Sequence, residues 1–409
     1  MKKIVLSLII LIIVCSSAFA LSEEVSPNTN RDVYGALVSP YKSLDARSLA
    51  MGGVGIAGLD NYQSFWSNPA GLADNKVQVS TPNVGVSLYN PVALYKAYKS
   101  GLFEKIANGE INENNISEIY NDENVNKILS YGYGKIADIN SNISFSFGGF
   151  GFGFAVQDSI LTYLNGQIAS TNIINQLLAE TRVGYGLKFN FTDKFSLDVG
   201  FSVGFRYLAY NKAVDISTLL KIVNSDSNEQ NPIDTIPFMA GWAIPVNVGA
   251  RLNLPLGFSV ASVLNNINGK FNMNAFDNYS AVLESPFNSD KKFSFNTDMT
   301  WDVGVAWDPD FSSIFKPTVE ADFVDILGFV SDKDFSARAW VNHLKLGAEI
   351  RGLWVFDIRG GLDSGYWTLG AGLDFYALRV EAAYYWHEFG SVAGEKGIDG
   401  LTVQVNLGW

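Results

Sequence analysis

From Val77 onward the chain alternates apolar and polar residues with a period of two, which marks strands with one nonpolar and one polar face. The clearest run is Lys194 to Tyr210. Phe195, Leu197, Val199, Phe201, Val203, Phe205, Tyr207 and Ala209 share one face, and Ser196, Asp198, Gly200, Ser202, Gly204 and Arg206 share the other. Val183, Tyr185, Leu187 and Phe189 oppose Arg182, Gly184, Gly186 and Lys188 in the same way. So do Val246, Val248, Ala250 and Leu252 against Asn247, Gly249 and Arg251. The pattern predicts fourteen strands, near 77–90, 132–148, 150–157, 181–190, 195–210, 243–253, 257–266, 296–307, 317–326, 341–351, 354–363, 366–374, 378–387 and 401–409.

In a soluble sandwich the apolar faces would form the core. Here they are large and aromatic in nearly every strand, while the opposite faces mix Gly with Arg, Lys, Asp and Glu. Lipid outside and a polar lumen inside account for that inversion, and in a bilayer the strands must close into a barrel so that no backbone group is left unpaired. The connections alternate too: 91–131, 158–180, 211–242 and 267–295 are long, whereas 149, 191–194 and 254–256 are short. That is the layout of an outer-membrane barrel, and an even strand number leaves both termini in the periplasm. Two connections break the rhythm: 308–316 is intermediate, and 364–365 is tight where a long loop is due. The expected fold is therefore all-β, a transmembrane antiparallel barrel of about fourteen strands over 77–409.

Residues 1–20 read as an export signal. Lys2 and Lys3 precede an 11-residue apolar run from Ile4 to Val14, and Ala18-Phe19-Ala20 gives a small-x-small cleavage site after Ala20. The run is too short to span a bilayer, which takes about 20 residues. Cys15 after an apolar stretch leaves a lipoprotein as the competing reading, against which the bulky Val14 counts. Residues 21–76 form a polar lead-in followed by a Gly- and Ser-rich segment. Charged residues are 17%, below the roughly 25% of soluble domains. Removing Lys2 and Lys3 leaves 27 basic against 41 acidic residues, a net charge of −14, with no basic tract, which argues against a nucleic-acid partner. One Cys and two His exclude a Cys/His zinc site.

Within 44–73, the run Gly53-Val54-Gly55-Ile56-Ala57-Gly58 formally matches a dinucleotide fingerprint but lacks the flanking strand and helix that aim N–H groups at a pyrophosphate. The better reading is a resemblance. Gly52, Gly53 and Gly55, followed by Gln63-Ser64-Phe65-Trp66-Ser67 and then Asn68, Pro69 and Ala70, look like the N-terminal hatch of FadL-type outer-membrane transporters. The carboxyl half, at His343 to Glu349 and Arg359 to Tyr366, is similar to FadL-like paralogues of spirochaetes, and PorV-type secretion barrels share the hatch and strand number. Small residues allow such a segment to fold compactly in a lumen; alternatively, Asn68-Pro69-Ala70 is only the turn that starts the first strand. The final alternation, Leu401, Val403, Val405, Leu407 and Trp409, resembles the outer-membrane insertion signal, with tryptophan where phenylalanine is commoner.

Candidate chemistry is sparse. His343 and His387 fall on polar phases without a nucleophile motif, so no catalytic residues and no cofactor are expected. Arg182, Arg206, Arg251, Arg359 and Asp374 are candidate lumen charges whose mixed signs suggest internal pairing. Helical spacing in two loops, at Ile173, Ile174, Leu177 and Leu178 and at Ile216, Leu219, Leu220 and Val223, suggests apolar capture helices or plain loop packing. The resemblance implies an outer-membrane transporter of hydrophobic, long-chain fatty acid-like molecules. Its partners would be that ligand, membrane lipid and the barrel assembly machinery. The alternative is a non-transporting barrel that scaffolds or shuttles secreted proteins.

Overall fold

The computed structural model describes residues 45–58, 64–74, 77–112, 115–129, 131–164, 171–211, 214–216, 220, 236–309, 315–352, 355–375, 378–390 and 392–408. The export signal, the lead-in, Leu219, Val223 and Trp409 lie outside them.

Fourteen antiparallel strands close into one barrel. They are β1 (Gln78–Tyr89), β2 (Gly132–Phe147), β3 (Phe150–Leu164), β4 (Asn172–Thr192) and β5 (Phe195–Asn211). Three two-part strands follow: β6 (Phe238–Ala243, then Val246–Asn253), β7 (Phe258–Ile267, then Lys270–Phe276) and β8 (Lys291–Asn296, then Thr300–Trp307). The rest are β9 (Phe315–Phe323), β10 (Leu344–Gly352), β11 (Phe356–Asp363), β12 (Tyr366–Phe375), β13 (Leu378–Glu388) and β14 (Gly397–Gly408). Each pairs with its sequence neighbours, and β1 closes the ring on β14 through pairs such as Val86↔Val403 and Ser87↔Thr402. No helix among the described residues is long and apolar enough to cross a membrane; the chain crosses with strands.

The alternation resolves as the pattern predicts. Phe201, Ile358 and Leu369 stand outward and more than half exposed, while Asp198, Arg206 and Arg359 point inward and are buried. An apolar exterior around a charged lumen is stable only with lipid outside. Apart from Ser364-Gly365, the short turns and the carboxyl end gather at one rim. The opposite rim carries the long connections; the described residues of the largest, 90–131, form four short helices around Ala97, Ile111 and Ile128.

Several strands outrun their sequence reading. The 158–180 connection is mostly strand, because β3 runs to Leu164 and β4 starts at Asn172. Ile173, Ile174, Leu177 and Leu178 therefore lie on a strand, not a helix. Leu177 faces out, Ile174 and Leu178 face a packed lumen, and apolar residues on both faces erase the two-residue period. Strands β7 and β8 extend past their predicted ends because each is interrupted rather than finished. The breaks at Ile244-Pro245, Asn268-Gly269 and 297–299 fall side by side on β6, β7 and β8. Asn266 and Asn268 take left-handed backbone there, as Asn tolerates, and their side chains stitch the gap. Asn268 Nδ2 donates to the Ile244 carbonyl (3.2 Å) and Asn266 Nδ2 to that of Asp298 (3.0 Å). His343 is also displaced: it ends a helix (Ala337–His343) instead of lying on a strand, with Nδ1 2.8 Å from the Val324 carbonyl and its ring beside outward Phe323.

Candidate functional site: the filled lumen

Two stretches of the N-terminal segment lie across the lumen. The first, 45–58, begins with a short helix (Ala46–Ala50) capped by Asp45. The helix ends at Gly52 and Gly53, both left-handed (φ 70° and 79°), so the chain reverses where a side chain would be strained. There is no room for one either: a Cβ on Gly52 would strike the carbonyls of Leu346 and Leu362.

This stretch is tied down by polar bonds to β9, β10 and β12. Arg47 donates twice to Glu349, at 2.9 and 3.0 Å, and both side chains are buried. Thr368 accepts from the Gly52 N–H (2.9 Å) and donates to the Ala50 carbonyl (2.8 Å). Asp322 Oδ2 accepts from the Gly55 N–H (2.9 Å), and Glu320 Oε1 accepts from those of Ala57 and Gly58 (2.7 and 2.9 Å). These carboxylates replace the backbone partners that an irregular segment lacks.

The second stretch comprises Ser64–Ser67 and the 3₁₀ turn Pro69–Asp74, and it lies against β3 to β6. Here the fit is steric. Gly186, Gly200 and Gly249 are cross-strand partners in one row, and a side chain on them would strike Ala73, Pro69 and Asn68 respectively. Gly151 and Gly153 make room for Leu72 and Trp66. Phe65, Trp66 and Leu72 pack with Leu161, Ile174 and Leu178 in the largest apolar cluster of the lumen. Asn68 links the two stretches: its Nδ2 donates to the Ile56 carbonyl (3.1 Å), while its Oδ1 accepts from the Ala70 N–H (3.0 Å). Gly52, Gly53, Gly55, Asn68, Pro69 and Ala70 thus lie together in the lumen, and the Asn-Pro-Ala turn fills it instead of merely starting β1.

The candidate charges have distinct jobs. Arg182 donates to the Trp66 carbonyl (2.9 Å), lies 4.8 Å over the Trp66 ring and pairs with Glu180. Arg206 braces the same Glu180 from the other side at 2.7 Å. Arg251 joins Asp198 (2.7 Å) to Asp74 (2.9 Å), and Lys188 also reaches Asp74 (2.7 Å). Burial pushes the Asp74 carboxyl up, but Arg251 and Lys188 outweigh it and hold the group below its ordinary value. Arg359 pairs with Glu349 and Asp357, keeping Glu349 aimed at Arg47. Asp374 pairs with Arg379 near the short-turn rim. Sequence reading missed Glu349 and Thr368 as tethers and the glycine row as a seat; the glycines were visible on the polar phase, but their shared level was not.

Between the packed segment and the long-connection rim lies a cavity of about 700 Å³. One wall carries Trp66, Leu161, Ile174 and Leu178; across it stand Lys345, Asp363 and His387. Lys345 is paired with Asp363 at 2.5 Å, and the His387 ring packs on Phe389, centroids 4.6 Å apart. The four proposed capture residues of β4 do not form one groove, since only Ile174 and Leu178 line the cavity. Ile216 and Leu220 are buried under the helical 90–131 connection. Among the described residues, no group of three or more His, Cys, Asp or Glu is placed to hold a metal ion.

No protein-family model matches the sequence, and no curated protein is similar to it. Solved structures similar to the barrel include the toluene transporter TbuX of Ralstonia pickettii, at 12% identity and TM-score 0.48, over 90% of this chain and 98% of that one. The Pseudomonas putida toluene transporter TodX aligns at 10% identity and TM-score 0.46 over 90% and 98%. A Pseudomonas aeruginosa FadL homologue aligns at 10% and 0.43 over 91% and 99%. A FadL homologue is thus among the structures this chain is similar to; the barrel assignment itself rests on the closed strand pairing.

Proposed function

We propose that the chain is an outer-membrane transporter for small hydrophobic or amphipathic molecules of the long-chain fatty acid class, and not an enzyme. The observation that carries this reading is the two-sided cavity above the filled lumen. Its volume of about 700 Å³ suits a small-molecule ligand, since such pockets run roughly 300–1,000 Å³. The Trp66–Leu161–Ile174–Leu178 wall accepts an apolar chain, and the Lys345–Asp363–His387 side accepts a polar head. Onward passage requires the 45–58 and 64–74 stretches to shift, which makes them a hatch.

The test is mass spectrometry of small molecules retained by the full chain purified in mild detergent, alongside a Leu178→Asp variant. An apolar or amphipathic ligand near one per barrel, lost in the variant, supports transport. An empty cavity together with a stoichiometric protein partner overturns it in favour of the scaffold reading. The folded helical connection at 90–131, with its own apolar centre, is the feature that reading would use. In either case lipid surrounds the barrel, and the assembly machinery inserts it.

A further inference from the structure

The barrel wall is uneven in height. Among the described residues, strands β2 to β5 contain 16, 15, 21 and 17 residues, whereas β9 to β12 contain 9, 9, 8 and 10. A tilted strand needs about 9–11 residues to span a bilayer, so β9 to β12 have none to spare and their upper ends lie at the membrane surface. The tight Ser364-Gly365 turn, placed where a long connection was expected, belongs to this low stretch.

Beside it, the connection from β9 to β10 forms a pair of helices, Ile326–Asp332 and Ala337–His343. The pair leans sideways across the low rim. Ser364 Oγ donates to the Asn342 carbonyl (2.9 Å), and Arg338 Nε donates to that of Ala393 (2.9 Å) in the connection after β13. Its aromatic side is applied to the outside of the barrel. Phe323 is an outward residue of β9 paired with outward Leu344, and its ring meets Phe329 (5.4 Å) and Trp340 (5.3 Å). Phe329 is buried by this packing, but Val330, Phe335 and Trp340 remain 55%, 60% and 51% exposed. The exposed patch is continuous, through Phe323 and Leu344, with the lipid-facing surface.

We propose that the 326–343 helical pair is a membrane-interface element that sets Val330, Phe335 and Trp340 into the headgroup–acyl boundary of the surrounding leaflet. Two independent observations, the wall height and the continuity of the patch, place lipid as its occupant. Helices with Trp and Phe on an apolar side lie in that layer. Asp332, Lys333 and Asp334 mark the polar turn that stays in water. This placement is the same for a transporter and for a scaffold, because it depends only on the barrel spanning a bilayer.

The test is site-directed spin labelling of the full chain in lipid nanodiscs, with Cys15 replaced by Ser if it is retained. Labels at F335C and W340C are compared with lipid-facing I358C and with Y98C on the 91–99 helix. The expected result is collision accessibility at 335 and 340 matching 358, high to oxygen and low to a water-soluble nickel chelate. Accessibility matching residue 98 overturns the proposal. Protection from both reagents overturns it too, because it means protein covers the patch. Heat-modifiable gel mobility confirms that each variant is a folded barrel.

Discussion

The two stretches of the lumen segment sit in the same barrel with different balances of polar bonding and close fit. Residues 45–58 rest closely on Gly347, Gly361 and Gly370 and carry most of the directional bonds: two from Arg47 to Glu349, a pair through Thr368, and N–H groups donating to Glu320 and Asp322. Residues 64–74 are held by shape, in a seat cut by glycines and lined by the Trp66 cluster, with charge at the Arg182 and Asp74 contacts. The comparison teaches where each half is vulnerable. A polar tether fails when one partner is removed, because the other is left charged and dry. A steric seat fails when a single methyl group is added.

The largest effect is expected at Glu349→Ala. It strips Arg47 and Arg359 of a shared buried partner, and breaking such a pair costs about 3–5 kcal/mol. The 45–58 stretch should become protease-sensitive in a barrel that stays folded; full resistance would show that the polar tether is dispensable. Next comes Gly200→Val, which drives a side chain into the Pro69 carbonyl. Overpacking costs about 1–3 kcal/mol, and cleavage should now begin in 64–74 while Arg47 stays protected. The control is Gly360→Ala, where an added methyl group would meet its nearest neighbour, the Leu369 side chain, at an ordinary 3.6 Å, and it should leave proteolysis unchanged. The smallest effect is pH-dependent. Asp74 has a depressed carboxyl pKa in the fold, so its contribution is full above the ordinary carboxylate range and is lost as pH falls through the depressed value. The 64–74 stretch should loosen at acid pH, and Asp74→Asn should show the looser state at neutral pH; identical acid sensitivity in variant and parent would assign the effect elsewhere.

Much of the wall was legible in sequence because a strand between lipid and a polar lumen repeats every two residues, and that repeat needs no tertiary knowledge to see. Where it failed, the environment was different. On β4, Ile174 and Leu178 face Trp66 instead of water, so both faces are apolar and the spacing imitates a helix. On β7 and β8, the residues around Asn266-Ile267-Asn268-Gly269 and 297–299 carry turn chemistry, yet the strand resumes beyond them because its neighbours break at the same level. His343 kept the polar phase of β10 in sequence, but the strand begins one residue later and the side chain joins the outward aromatic cluster.

By itself, then, the sequence determined a fourteen-strand barrel, an apolar outside, a charged inside and a small-residue N-terminal segment with an Asn-Pro-Ala turn. Those follow from local periodicity and from what each residue type tolerates in lipid or water. Only the tertiary structure decided that Gly186, Gly200 and Gly249 stand in one row, that Glu349 reaches Arg47 302 positions away, and that β9 to β12 form a low wall with a helical pair lying over it. The reason is register. Alternation assigns a residue to a face, but the level it occupies around the barrel depends on how neighbouring strands slide past one another, and that is settled by closure and by the segment packed inside.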